Sequence, residues 1–110
     1  VASGVNIQFK KGALDLCVLA LTAREDRYGY ELAVRISGKF DIAVGSVYPI
    51  LNRLTQEGYF TTYLQESPGG PPRKYYRLSP EGRRRLFEMA EEWRTFTRAV
   101  NEWIEEGDLR

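Results

Sequence analysis

The sequence predicts a mainly helical α+β fold, in which three helices lead into a small β-hairpin and then one long final helix. Three observations predict it. Through residue 57, apolar side chains return every three or four positions, the period of helices with buried sides. From Tyr59 to Leu78 the period drops to two around the stretch SPGGPP, which does not suit a helix. After Ser79-Pro80-Glu81 the longer period resumes and runs to about Glu106.

Each element follows from its residues. Lys10–Glu25 reads as a helix with Ala13, Leu14, Cys17, Val18 and Leu21 on one stripe and Leu16, Leu19, Ala20 and Ala23 on the opposite one. A helix apolar nearly all round must be buried nearly all round. In a chain of 110 residues that implies its own core on one side and a second subunit on the other. Residues 1–7 ahead of it are expected to be flexible. Tyr28–Gly38 forms a short second helix with Leu32, Ala33 and Ile36 inward and Gly38 as terminator. The third helix covers about 44–57, where Val47, Ile50, Leu51 and Leu54 make one buried stripe and Gly58 ends it. Tyr59–Glu66 and Arg73–Leu78 read as strands, joined by a tip longer than a two-residue turn. Ser79 can cap the last helix, Pro80 suits its first position, and Glu81 suits the positive end of its dipole.

That final helix would span roughly 40 Å at 1.5 Å per residue. Leu86, Met89, Trp93, Phe96, Val100 and Trp103 repeat three and four apart, and Ala90, Thr97 and Ile104 widen the stripe. It is too long and too apolar to be only a lid, and it reads as a dimerisation seam; the competing reading folds it back on its own domain. Three helices followed by a hairpin is the order of a winged helix-turn-helix. The expected organisation is therefore a winged helix-turn-helix over 1–78 and a dimerisation helix over 79–110, assembled as a two-fold homodimer.

Composition excludes several kinds of chemistry. There is no histidine, and the one cysteine, Cys17, cannot close an internal disulfide. Paired-cysteine motifs, phosphate loops and nucleophile elbows are absent, so no enzyme, metal site or cofactor is expected. No apolar run approaches a membrane span. The N-terminus lacks the basic-then-apolar order of a signal peptide, and a cytoplasmic location is expected. The net charge of +1 hides an asymmetry. Residues 1–87 carry 13 Lys and Arg against 8 Asp and Glu, whereas residues 88–110 carry 3 against 7. The first part suits a polyanion and the second does not, which points to two different tasks.

Five stretches carry a family signature: KKGALDLCVLALTARE, YGYELAVRI, GSVYPILNRLTQEGYF, RKYYRLSPEGRRRL and the tryptophan in AEEW. In order and spacing they resemble the PadR family of transcriptional regulators over about residues 8–105. The single C-terminal helix is similar to the short subfamily. The resemblance implies a homodimeric DNA-binding protein, usually a repressor released by a small molecule, with the first and last helices forming the dimer interface.

In a helix-turn-helix, the second helix of the motif enters the major groove with its N-terminal part at the base edges. With its apolar stripe inward, the helix at 44–57 turns outward Gly45, Ser46, Pro49, Asn52, Arg53 and Gln56, with Tyr48 at the border. Ser46 and Tyr48 offer hydroxyls; Asn52 suits paired hydrogen bonds to adenine, and Arg53 suits guanine or a phosphate. Pro49 falls in or near the first turn, where a missing N–H is tolerated, and Gly45 permits close approach of the backbone. The family often has a basic residue where this chain has Asn52, so the preferred operator is expected to differ there. The wing, about 59–78, adds Arg73 and Lys74 as a basic protrusion toward the minor groove or its phosphates. Arg77 is expected on the solvent face of its strand and Arg83–Arg85 in solvent. The resemblance implies backbone contacts from Gln8, Lys10 and Lys11. The partner is then a palindromic double-stranded operator.

Trp93 occupies the position of the family tryptophan, which in some short members stacks flat aromatic compounds between subunits. A planar aromatic effector is thus a second expected partner, with Trp93, Asp15, Phe96 and Thr97 around it; an indole simply buried at the seam is the competing reading, and Asp15 reads equally as a surface acid paired with an arginine. Leu16, Leu19, Met89, Trp93, Phe96, Val100 and Trp103 are the expected dimer contacts. Cys17 reads as buried filler, since no basic neighbour in sequence would lower its pKa. Two rivals to a DNA-binding regulator remain: a winged-helix module that binds only proteins, and a protein whose main task is to bind hydrophobic or aromatic small molecules.

Overall fold

The computed structural model describes residues 7–108, with side chains described from residue 12 onward. Within it the elements are α1 (Ile7–Leu21), β1 (Arg27–Tyr28), α2 (Gly29–Phe40), a 3-10 turn (Val44–Ser46), α3 (Tyr48–Gln56), β2 (Phe60–Ser67), β3 (Gly70–Leu78) and α4 (Pro80–Glu106). Of the lead-in expected to be flexible, only Ile7 falls within the described residues, and it already belongs to α1.

One core holds α1, α2, α3 and the sheet together. Leu14, Val18 and Leu19 of α1 meet Leu32, Ala33 and Ile36 of α2 and Val47, Leu51 and Leu54 beside them, closed below by Phe60, Tyr76 and Leu78. The expected inward stripes of α2 and α3 are therefore found, with Ile50 half-buried at the edge. Leu19 is a correction: expected at a subunit interface, it is fully enclosed by its own chain and has no surface left for a second copy. Because α1 packs against α2, α3 and α4 at once, its buried arc is wider than a single stripe.

The helix ends also differ from expectation. α1 stops at Leu21, where the Thr22 hydroxyl donates to the Leu19 carbonyl at 2.8 Å and the Arg27 guanidinium donates to the Leu21 carbonyl at 2.8 Å. These bonds satisfy carbonyls that the ended helix would leave orphaned. α2 runs through Gly38 to Phe40 and stops where Asp41 turns left-handed, at φ 54°, with its N–H on the Ser37 carbonyl. The third helix is split: a 3-10 turn at Val44–Ser46 tightens the entry, and α3 proper begins at Tyr48. Pro49 then lies in the first turn, where its missing N–H leaves no helical bond unmade.

The sheet has the order β1-β3-β2, antiparallel throughout. Its short first strand was not foreseen, since two residues show no period. The tip is tighter than expected: Ser67 pairs with Gly70, leaving only Pro68 and Gly69 in the turn, with Gly69 at φ 70°. The prolines are absorbed by a bulge, because Gln65 pairs with Arg73 and Pro71 and Pro72 fall opposite Glu66 alone.

α4 begins inside this body and then leaves it. The Ser79 hydroxyl accepts from the Gly82 N–H at 2.9 Å and donates to the Gly58 carbonyl at 2.6 Å, so the cap also ties the helix to the end of α3. Gly82 is buried, and a Cβ there would stand 2.1 Å from the Tyr59 carbonyl oxygen and 2.7 Å from Leu78 Cδ1. Only glycine lets the helix cross the strand so closely. Beyond Thr97, every residue of α4 to Glu106 is exposed. The radius of gyration is accordingly 16.2 Å, against about 13 Å for a compact domain of this length.

Candidate nucleic-acid interface

α3 has a closed side and an open one. Val47, Leu51 and Leu54 are sealed in the core, while Gly45, Ser46, Tyr48, Pro49, Asn52 and Gln56 are exposed. Burial pushes the Tyr48 phenol up, helped by the nearby phenols of Tyr28 and Tyr30. Tyr48 therefore stays a neutral hydroxyl, able to donate or accept. The start of α2 stands close by, where Tyr30 is 54% exposed.

Arg53 lies at the edge of the open side, where it is already paired. Its guanidinium lies 2.6 Å from the Asp15 carboxylate of α1 and 3.4 Å from Glu57. The bond to Asp15 raises the Arg53 pKa, with Glu57 adding to it. The residue braces α3 against α1, and its charge is already partly neutralised at the edge of the open side. Asp15, in turn, is turned to α3.

The wing presents Arg73 and Lys74 on opposite faces. Strand alternation puts Arg73 with Tyr75 and Arg77, and Lys74 with Tyr76. On the first face Tyr28, Tyr75 and Tyr63 form a row across three strands, with ring centroids 5.9 and 5.6 Å apart. Arg73 lies over Tyr28 at 5.0 Å and Arg77 over Tyr63 at 5.1 Å. Asp26 fastens the row: it accepts from the Tyr63 hydroxyl at 2.6 Å and pairs with Arg77 at 3.1 Å. These partners, Tyr63 first, hold the Asp26 carboxyl below the usual aspartate range. On the other face Lys74 lies 5.6 Å from the Tyr76 ring. Arg73 and Lys74 are both exposed, so the single basic protrusion expected there is instead two separate cationic edges.

The side chains of Gln8, Lys10 and Lys11 lie outside the described residues. Of the other arginines considered, Arg83 donates to the Ala23 carbonyl at 3.2 Å, Arg84 pairs with Glu81, and Arg85 pairs with Glu88 at 3.5 Å.

A second feature lies between α1 and α4. Gly12, Ala13, Leu16, Arg85, Met89, Glu92, Trp93 and Phe96 line an open groove of about 380 Å³. A neighbouring groove of about 470 Å³ continues along Leu16, Ala20, Leu86, Phe87 and Trp93, so Leu16 and Trp93 border both. Of the expected effector residues, this brings together Trp93 and Phe96. Asp15 is committed to Arg53, and the Thr97 hydroxyl bonds the Trp93 carbonyl of its own helix at 2.8 Å. Glu92 is the carboxylate that lines the groove. Of the expected dimer contacts, Leu16 and Met89 are half-buried, and Trp93, Phe96, Val100 and Trp103 are exposed along α4. Burial raises the Cys17 thiol despite the nearby Lys39, consistent with filler. Among the described residues no helix is long and apolar enough to cross a membrane, and no group of acidic, cysteine or histidine side chains could hold a metal.

A helix-turn-helix with one polar side open, followed by a two-strand wing, defines a winged-helix DNA-binding regulator. The profile of the PadR-like family of transcriptional regulators matches residues 18–88. The chain belongs to that family, whose members are regulators and not enzymes. A PadR-like transcriptional regulator of Bacillus cereus is 33% identical, with 88% of this chain and 96% of that one covered at a TM-score of 0.78. A Streptococcus transcriptional regulator is 35% identical, with 88% and 97% covered at 0.79. A protein of Streptococcus mutans is 33% identical, with 91% and 92% covered at 0.80.

Proposed function

We propose that this chain is a homodimeric repressor that binds a roughly palindromic operator and is released by a planar aromatic effector. The supporting observation is the open side of α3: Ser46, Tyr48, Asn52 and Gln56 are presented outward while the opposite side is sealed in the core. α3 enters the major groove with Tyr48 and Asn52 as base or phosphate contacts, and Gly45 and Pro49 permit close approach. Arg73 and Lys74 reach the flanking minor groove or its phosphates. Residues 1–78 bind DNA and 79–110 bring two copies together, with half-sites about 34 Å apart.

The effector reading rests on the groove bordered by Trp93 and Phe96, which is apolar, aromatic and close to α1. A ligand there acts if it favours one separation of the two recognition helices over another. Arg53 links α1 to α3 through Asp15 and so ties the groove wall to the DNA-reading helix. The test is selection of bound duplexes from random DNA at physiological salt. Enrichment of an inverted repeat supports the proposal, and failure to enrich one overturns it. Quenching of Trp93 fluorescence by ligands that leave DNA affinity unchanged would favour a small-molecule binding protein instead.

A further inference from the structure

Four tyrosines line a path from α3 to the wing. Tyr28 and Tyr30 sit on either side of Gly29, the first residue of α2. Besides its own burial, their phenols oppose ionisation of the Tyr48 phenol on α3, so the three stand close together. The Tyr28 ring lies 6.3 Å from Tyr30 and 5.9 Å from Tyr75 of β3. Arg73 closes the path, with its guanidinium 5.0 Å from the centre of the Tyr28 ring. Gly29 lies so close to β3 that a Cβ there would stand 3.0 Å from the Tyr76 ring, which fixes the start of α2 against the wing. Tyr30, Tyr48 and Arg73 are exposed, and Tyr28 and Tyr75 are half-buried.

The chemistry of this path is that of neutral donors. Tyr63, at the far end of the row, commits its hydroxyl to Asp26 at 2.6 Å. The hydroxyls of Tyr28, Tyr30, Tyr48 and Tyr75 make no hydrogen bond among the described residues. Nearby charges are largely consumed: Arg53 pairs with Asp15 and Glu57, Arg77 with Asp26, and Glu31 with Arg27. Arg73 makes no ion pair among the described residues. A strip of hydroxyls with one unpaired cation fits a chain of evenly spaced, singly charged acceptors. The phosphodiester backbone has that chemistry, and tyrosine hydroxyls are among its usual donors. A hydrogen bond to such a charged acceptor is stronger than one between neutral groups.

We propose that Tyr28, Tyr30 and Tyr75, together with Arg73, grip the sugar-phosphate backbone that separates the major groove entered by α3 from the minor groove met by the wing. This rests on the DNA-binding reading above and adds to it a contact that holds register without reading sequence. Three of its four donors are uncharged, so they release no counterions. Their share of the affinity therefore does not fade as salt rises, unlike that of a lysine or arginine.

The test removes hydroxyls and keeps rings. A variant carrying Tyr28→Phe, Tyr30→Phe and Tyr75→Phe is compared with the parent by fluorescence anisotropy over a salt series. The probes are a duplex enriched by selection and a duplex of scrambled sequence. Affinity should fall about tenfold, by the same factor on both, with the salt slope unchanged. Arg73→Ala should instead flatten that slope by about 1. Tyr63→Phe, which keeps the three hydroxyls and loses the bond to Asp26, should bind both duplexes as the parent does. Three results overturn the grip: parental affinity in the triple variant, a loss confined to the enriched duplex, or the full loss reproduced by Tyr63→Phe. If selection enriches no inverted repeat while the tenfold loss on the scrambled duplex holds, the operator reading falls and the grip stands. A parent that binds neither duplex overturns both.

Discussion

Leu51 and Trp103 are both large apolar residues on helices, yet Leu51 is wholly enclosed by its own chain and Trp103 is 78% exposed. The contrast separates the winged body from the outer half of α4. In the body, every inward stripe finds its complement within one chain, so its stability is a property of the monomer. Outer α4 has the apolar period of a buried helix, yet its residues from Arg98 to Glu106 are exposed. Hydrophobic burial is proportional to area removed from water, so Leu51 stabilises the fold of this chain in a way that Trp103 does not.

The largest effects lie in the body. Leu51→Ala should cost about 2–5 kcal/mol through the cavity it leaves. Gly82→Ala should cost about 3 kcal/mol, because the new Cβ would meet the Tyr59 carbonyl. Both losses should be independent of protein concentration in thermal melts. Trp103→Ala should do the reverse: melting of a dilute sample stays within about 0.5 kcal/mol of the parent, while the rise of Tm with concentration flattens. A concentration-independent loss from Trp103→Ala would break the distinction between the two regions.

This contrast also accounts for what the sequence made legible. Long stripes with one partner, such as Leu32, Ala33 and Ile36 or Val47, Leu51 and Leu54, carry their burial in their spacing. Leu19 was misread because α1 has three neighbours, and a stripe count cannot tell a third neighbour in the same chain from a second subunit. The ion pair of Asp15 with Arg53 joins residues 38 apart; an arginine partner for Asp15 was one of two readings, but no local pattern says which arginine. β1 is two residues long, too short for a period. Gly82 looked like an ordinary glycine in the string SPEG; its necessity comes from a strand that passes across it. The polar set of α3 was legible because it is the remainder after the buried stripe is removed, whereas the opposed facing of Arg73 and Lys74 needed the strand register.

Intermediate effects belong to the open side of α3, which depends on the body for its place and on DNA for its purpose. Asn52→Ala should lose about 1–3 kcal/mol of discrimination at one base pair, read as relaxed sequence preference in duplex selection, with non-specific affinity unchanged. Asp15→Asn should act in the opposite direction. It weakens the carboxylate that holds Arg53 and leaves more positive charge at the interface. Non-specific DNA affinity should rise, and the slope of log affinity against log salt should steepen by about 1. Fluorescence anisotropy over a salt series measures both, and weaker binding by Asp15→Asn would mean that Arg53 must be braced to serve.

The smallest effect is expected at the wing, where the strands pair except at the bulge opposite Glu66 and the side chains are largely exposed. Asp26 accepts from Tyr63 and Arg77, and its pKa is lowered, mainly by the Tyr63 bond. The folded carboxylate thus binds a proton less readily than the unfolded one. Its contribution to stability is present above the ordinary aspartate range, about 3.9, and is lost as pH falls through the lowered folded value. Because the pair is partly exposed, Asp26→Asn should cost about 0.5 kcal/mol near neutral pH, a fall of about 2 °C in Tm. Melts taken from neutral to acid pH should show variant and parent converging as Asp26 of the parent protonates. A gap that persists in acid would mean that the wing depends on the shape of this hydrogen-bonded row and not on its charge.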